Sequence, residues 1–181
     1  GETITSGVYS IAGAGSIGGS LTLDGGGNPD AIFIMKFEGA LTVGVSSTII
    51  LSGGTRACNV FWVAEGAITV GTSSTIKGTL LAHTGAITLG VISTIEGRLL
   101  ATEGAITIGA GCVATIPLGP VSVPIKCLGF CAPNASVDVL GSLNKYALFT
   151  SAGAVTNTAS SGIVGDIGTH VGAISGFGTS T

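Results

Sequence analysis

The stretch "GAITVGTSSTIKGTLLAHTGAITLGVISTIEGRLLATEGAITIG" states one pattern three times. Gly66-Ala67-Ile68-Thr69, Gly85-Ala86-Ile87-Thr88 and Gly104-Ala105-Ile106-Thr107 follow one another at a spacing of 19 residues. A unit of about 20 residues cannot bury an apolar face by itself, so repeats of this size stack on their neighbours. Apolar residues recur two and four places after the Gly, as Leu41 and Val43, Ile68 and Val70, Ile87 and Leu89, and Ile106 and Ile108. Further along each period come Ile49, Ile76 and Ile95, and then a Gly with the aliphatic pairs Leu80-Leu81 and Leu99-Leu100. Alternation with a period of two in each short run marks strands with one side inward. Helix is excluded, because Gly and β-branched residues are spread throughout. The repeat therefore predicts an all-β, parallel β-solenoid (β-helix) with about three short strands per turn, equivalent residues stacking roughly 4.7–4.9 Å apart.

The rest of the chain departs from the period in readable ways. Between Gly39 and Gly66 the spacing lengthens to 27 residues, where "GGTRACNVFWVAE" predicts an irregular turn that delivers Trp62 to the core. "DGGGNPD" is a turn signal, since Gly and Asn-Pro supply dihedrals that strands refuse. Residues 1–116 are expected to form the solenoid body. Residues 117–139, which carry four of the five prolines, read as a linker or cap, and 140–181 form a third segment in which "GAVTNTASSGIVGDIG" restates the repeat. Cys58, Cys112, Cys127 and Cys131 form an even set that can pair in three ways. The expectation is disulfides in an oxidising compartment, with Cys127 and Cys131 able to staple the linker locally.

Composition removes several functions. Six Lys and Arg in 181 residues, at a net charge of −3, cannot track a nucleic-acid backbone. The mean hydropathy is +0.73, yet no apolar run approaches the roughly 18–20 residues of a spanning helix. The chain starts at Gly1 without a signal-peptide pattern, as expected of a mature or excised piece. His83 and His170 have no recurring nucleophilic or acidic companion, and no Ser sits in a nucleophile elbow. Glu65, Glu96 and Glu103 fall at corners as solvated charges, while Asp24, Asp30 and Asp166 lie in Gly-rich turns suited to local Asx hydrogen bonds. The nonapeptide calcium repeat is absent. The sequence predicts no enzyme, no metal and no cofactor.

"GVYSI", "LTLDGGGNPDAIFIMKFEGALTV", "ILSGGTRACNVFWVAEGAITVGTSSTIKGTLLAHTGAITL" and "GRLLATEGAITI" together resemble the ice-binding-like domain family. The resemblance covers residues 1–116, and "YALFTSAGAVTNTASSGIVGDIGTHVGAISGF" is similar to the segment with which that family's domain begins. It implies a right-handed solenoid, secretion or a cell-surface location, and ice as a partner. The order is changed: the opening segment comes last, and no candidate for the family's α-helix exists. Three arrangements are open, namely one period of a tandem array, a permutation closing on itself, or residues 140–181 completing a neighbouring solenoid in a homopolymer.

The outward positions suggest what such a rod does. Ala40 and Thr42, Ala67 and Thr69, Ala86 and Thr88, Ala105 and Thr107, with Ala154 and Thr156 added, form an expected array of methyls and hydroxyls that would adsorb ice. A second row is expected through Ser46 and Thr48, Ser73 and Thr75, and Thr94, interrupted by Ile92. The alternative is structural: a subunit or repeat of a surface adhesin or extracellular filament, whose partners are copies of itself.

Overall fold

The computed structural model describes residues 1–117 and 145–177. Every turn of chain contributes one short strand to each of three seven-stranded sheets. Strand pairing is parallel at each step, as a solenoid requires and as the 19-residue period predicts. The first sheet runs from Glu2–Thr5 to Gly162–Val164, the second from Gly7–Ile11 to Asp166–Thr169, and the third from Gly15–Ile17 to Ile174–Ser175. Residues 145–177 continue the same rod: the strand Tyr146–Thr150 pairs with Leu99–Ala101, and Val155–Asn157 with Ile106–Ile108. A three-residue 3-10 segment, Ala57–Asn59, interrupts the strands.

Like stacks on like in the core. In the third sheet Leu41, Ile68, Ile87, Ile106 and Val155 form one inward column, and Val43, Val70, Leu89 and Ile108 a second. Each such aliphatic removed from water contributes about 1.5–3 kcal/mol, which offsets the ordering of a chain with few large side chains. Trp62 is buried as expected, between Met35 and Leu80 in register, and its indole N–H donates to the Lys77 carbonyl at 2.9 Å. The eight extra residues of the 27-residue period are taken up at the corner before Val60, so the strands on either side keep their register.

The corners explain the invariant Gly of the repeat. A Cβ on Gly85 would run into the backbone of Ala67 one coil below, and one on Gly104 into the carbonyl of Gly85. Only a residue without a side chain lets the coils approach this closely. At the corner joining the third sheet to the first, an inward Ser closes the polar account. Ser74 Oγ donates to the Gly44 carbonyl at 2.8 Å, Ser93 Oγ to Gly71 at 2.9 Å, and Ser161 Oγ to Gly109 at 3.0 Å. Ser47, Ser74 and Ser93 are fully buried, so these bonds satisfy groups that water cannot reach.

This column corrects the expectation for Cys112. It is a free, buried thiol standing where the neighbouring coils place Ser, and its Sγ donates to the Gly90 carbonyl at 3.0 Å. Size and direction suit it to that slot, and no disulfide lies wholly within the described residues. Cys58 is buried in the 3-10 turn. Cys127 and Cys131, with all of the predicted linker except Pro117, lie outside the described residues.

The corner charges also differ from simple solvation. Lys77 and Glu96 form an ion pair at 2.6 Å, and His83 Nδ1 lies 2.8 Å from Glu65 Oε2. Asp24 makes the expected Asx turn, accepting from the Gly26 N–H at 3.0 Å. In the same loop Asn28 is the acceptor and the Asp30 N–H the donor. Asp166 departs from that expectation: it begins a strand, and its carboxylate lies 3.6 Å from Lys145 Nζ.

Candidate functional site

The third sheet carries the predicted threonines on its outer side in unbroken register. Ser16 pairs with Thr42, Thr42 with Thr69, Thr69 with Thr88, Thr88 with Thr107, Thr107 with Thr156, and Thr156 with Ser175. Seven hydroxyl side chains thus stand in a straight column about 29 Å long at the usual strand spacing. Sequence reading placed five of them; Ser16 and Ser175 were missed because their coils lack the Gly-Ala-Ile-Thr wording, although Ser175 lies one 19-residue period beyond Thr156. Local structure makes the column regular: each strand is three residues long with its outer aliphatics inward, so the middle residue has one direction to face.

Beside it runs the predicted alanine column. The carbonyls of Ala40, Ala67, Ala86, Ala105 and Ala154 each accept from the coil before, for example from Ile68 to Ala86 and from Ile87 to Ala105, both at 2.9 Å. These alanines are half-buried, so they floor the surface rather than project from it.

Hydroxyl chemistry sets the column apart from other threonines. The side-chain hydroxyls of Thr42, Thr69, Thr88 and Thr107 make no hydrogen bond among the described residues. At the corner joining the second sheet to the third the hydroxyls are engaged: Thr84 Oγ1 donates to the Glu65 carbonyl at 2.6 Å, Thr102 to that of His83, and Ser151 to that of Thr102. Ser175 Oγ donates to Thr156 Oγ1 at 3.5 Å at the end of the column, and the four threonines before them present free donors and acceptors to solvent. No charged side chain stands in either column. The nearest charges, Glu38, Glu65, His83 and Glu103, border the corner toward the second sheet.

The second predicted row holds in part. Thr48, Thr75 and Thr94 stack on the outer side of the first sheet, followed by Val113. Ser46 and Ser73 do not belong to that row. They sit at the corner with φ of 55° and 58°, and Ile92 occupies the same position with φ of 59°. Among the described residues no group of three or more His, Cys, Asp or Glu could hold a metal. No helix of the described residues is long and apolar enough to cross a membrane.

The family model described as ice-binding-like matches residues 1–114. The chain belongs to the ice-binding-like family. Ice-binding-like relatives agree in sequence and shape. The chain is 44% identical over 62 residues to "Ice-binding protein 1" of Shewanella frigidimarina, covering 33% of this chain and 7% of that protein. It is 37% identical over 84 residues to "Ice-binding protein" of Nostoc sp., covering 46% and 31%. A solved ice-binding protein from an Antarctic Flavobacteriaceae bacterium superimposes with a TM-score of 0.65 at 40% identity, covering 98% of this chain and 40% of that one. One from the ascomycete Antarctomyces psychrotrophicus gives 0.61 at 34% identity, covering 64% and 56%. The chain thus spans less than a third of the two curated relatives' lengths. The family is one of ice-binding proteins, not of enzymes.

Proposed function

We propose that this chain adsorbs to ice through the outer side of its third sheet, with Thr42, Thr69, Thr88, Thr107 and Thr156 as the contact column and Ala40, Ala67, Ala86, Ala105 and Ala154 as its floor. Ser16 and Ser175 extend the column by one coil at each end. The observation that carries the reading is the pairing of exact repetition with unengaged hydroxyls. A β-branched Thr has few rotamers to lose when water orders against it. Its methyl disfavours bulk-like hydration, while its hydroxyl can join an ordered hydrogen-bonded layer. Charged groups would hold competing water, and neither column has one.

An extracellular location goes with this reading, since a surface that meets ice acts outside the cell. The test is ice-crystal shaping and thermal hysteresis for the wild type and the Thr69→Tyr/Thr88→Tyr double variant. Shaping by the wild type that the double variant loses is the expected result; wild type that leaves ice growth unchanged ends the proposal. Sedimentation of the same samples addresses the adhesin or filament alternative, for which self-assembly without ice shaping would speak.

A further inference from the structure

On the outer side of the second sheet the middle coils are buried and the first coils are not. Leu80 and Leu99 point into the core in register, so the residues beside them, Thr79 and Leu81, Arg98 and Leu100, point outward. Strand stacking by itself leaves such positions in water: Thr69 on the third sheet is exposed, as are Val8, Ser10 and Lys36 in the first coils of the second. Yet Thr79, Arg98 and Leu100 are only 2%, 4% and 6% exposed. Thr79 Oγ1 is buried without a hydrogen-bond partner among the described residues. An arginine covered this deeply keeps its charge only against a partner. Arg98 is engaged, and so is Phe61, which pairs in register with Thr79.

The chain has one stretch placed to cover them. Residues 118–144 join Val113–Thr115 of the first sheet to Tyr146–Thr150 of the second, so both their ends lie at the corner that Thr79 and Arg98 adjoin. Cys58 stands at the same corner, between Thr48–Ser52 and Val60–Ala64. It is disulfide-bonded, whereas Cys112 is free, which leaves Cys127 and Cys131 as the possible partners. From the Tyr146 coil back to the Val60 coil is three strand spacings, about 14–15 Å. The stretch from Pro117 to Cys127 reaches about 33 Å when extended, so the distance is no obstacle. Composition matches as well. Val121, Val123, Ile125 and Leu128 suit a face of Val63, Leu81 and Leu100, while Phe130 is the one aromatic ring and Asp138 the one carboxylate of the stretch.

We propose that residues 118–144 dock across the outer side of the second sheet, over Thr79, Leu81, Arg98 and Leu100, anchored by a disulfide from Cys58 to Cys127 or Cys131. Asp138 neutralises Arg98, and Phe130 packs against Phe61 close to the anchor. The segment is the covalent link between the body of the rod and its last turn. Anchoring it shortens the loop that must close when that turn adds its strands, and so favours addition to its own rod over a neighbour's. The proposal is independent of the ice-adsorption reading, and the docked segment leaves the third sheet uncovered.

Trypsin reads the docking at Lys126, the sole Lys or Arg between 118 and 144. In the oxidised wild type, cleavage there should be at least about tenfold slower than after reduction by a thiol under native conditions. Leu81→Asp changes an outward side chain and leaves the core alone; it should speed cleavage by a similar factor with an unchanged circular dichroism spectrum. Lys36→Asp, at the exposed end of the same column, should leave the rate as it is. Peptide mapping without reduction should recover Cys58 joined to Cys127 or Cys131. One rate of cleavage at Lys126 in oxidised wild type, reduced wild type and Leu81→Asp would overturn the docking. Recovery of Cys127 joined to Cys131, with Cys58 free to alkylate, would overturn the anchor.

Discussion

The outer columns of the second and third sheets are built on the same coils and read very differently. In the second sheet the middle outward column is Ser10, Lys36, Val63, Leu81, Leu100, Phe149 and Gly168, seven residues with only one identity repeated. In the third it is Ser16, five threonines and Ser175. Parallel stacking is common to both, so register alone does not impose uniform side chains on a solenoid's exterior. Strand preference for Thr does not impose it either, because the second sheet satisfies its strands with Leu, Val and Phe. The second sheet also absorbs a register shift between Tyr146 and Leu148, whereas no shift marks the third. Uniformity in one sheet is thus a property of that surface, and it is the reason for assigning the function there.

The comparison breaks most visibly with bulk. Thr69→Tyr/Thr88→Tyr should abolish ice shaping with an unchanged circular dichroism spectrum, and Ser10→Tyr/Lys36→Tyr on the second sheet should leave shaping intact. Equal loss from both pairs, measured by thermal hysteresis, would erase the distinction between the faces. Next in size is the core beneath the column: Ile87→Ala should cost about 2–5 kcal/mol in urea unfolding, since its place between Ile68 and Ile106 cannot collapse freely. Gly85→Ala forces a Cβ into the backbone of Ala67 and should cost about 1–3 kcal/mol, with weakened shaping as the rows lose register.

Hydroxyl removal sharpens the contrast further. Thr150 is fully buried and donates to the Gly104 carbonyl at 2.7 Å, so Thr150→Val should cost about 1–3 kcal/mol by leaving that group unsatisfied. Thr88→Val removes a hydroxyl that makes no hydrogen bond among the described residues and should change stability by about 0.5 kcal/mol or less while reducing ice shaping. Smallest of all, Cys112→Ser places the residue of the neighbouring coils in the same slot. Its Tm should stay within a few degrees of wild type, and in the wild type the thiol should react with a disulfide reagent only on unfolding.

Much of this was legible in the sequence because the repeat puts one residue type at one place in the cross-section. Ile68, Ile87 and Ile106 announced the core column, and Thr69, Thr88 and Thr107 the outer one, by period and alternation alone. What was hidden depends on direction at corners, where alternation stops. Ser74 and Ser93 recur at 19 residues as plainly as the threonines, yet a Ser beside a Thr in a turn reads as solvent-facing; only the unmet carbonyls of the turn below pull it inward. The disulfide expectation for Cys112 failed for the same cause, since a count of cysteines cannot show that one of them substitutes for a serine. Ser46 and Ser73 were assigned to a strand row because their left-handed backbone is invisible in residue type. The pairings of Glu65 with His83 and Lys77 with Glu96 join residues 18 and 19 apart, a separation that becomes contact only once the coils are stacked.

The oversized period between Gly39 and Gly66 has a consequence for how such a protein can change over time. All the surplus chain sits at one corner, away from the rows of hydroxyls, and the strands beyond it resume as though nothing had been inserted. Loop growth and surface geometry are therefore separate inheritances in this rod. Lineages can vary the former freely, and can gain or drop a whole tread of the staircase, without resetting the distance from one tread to the next.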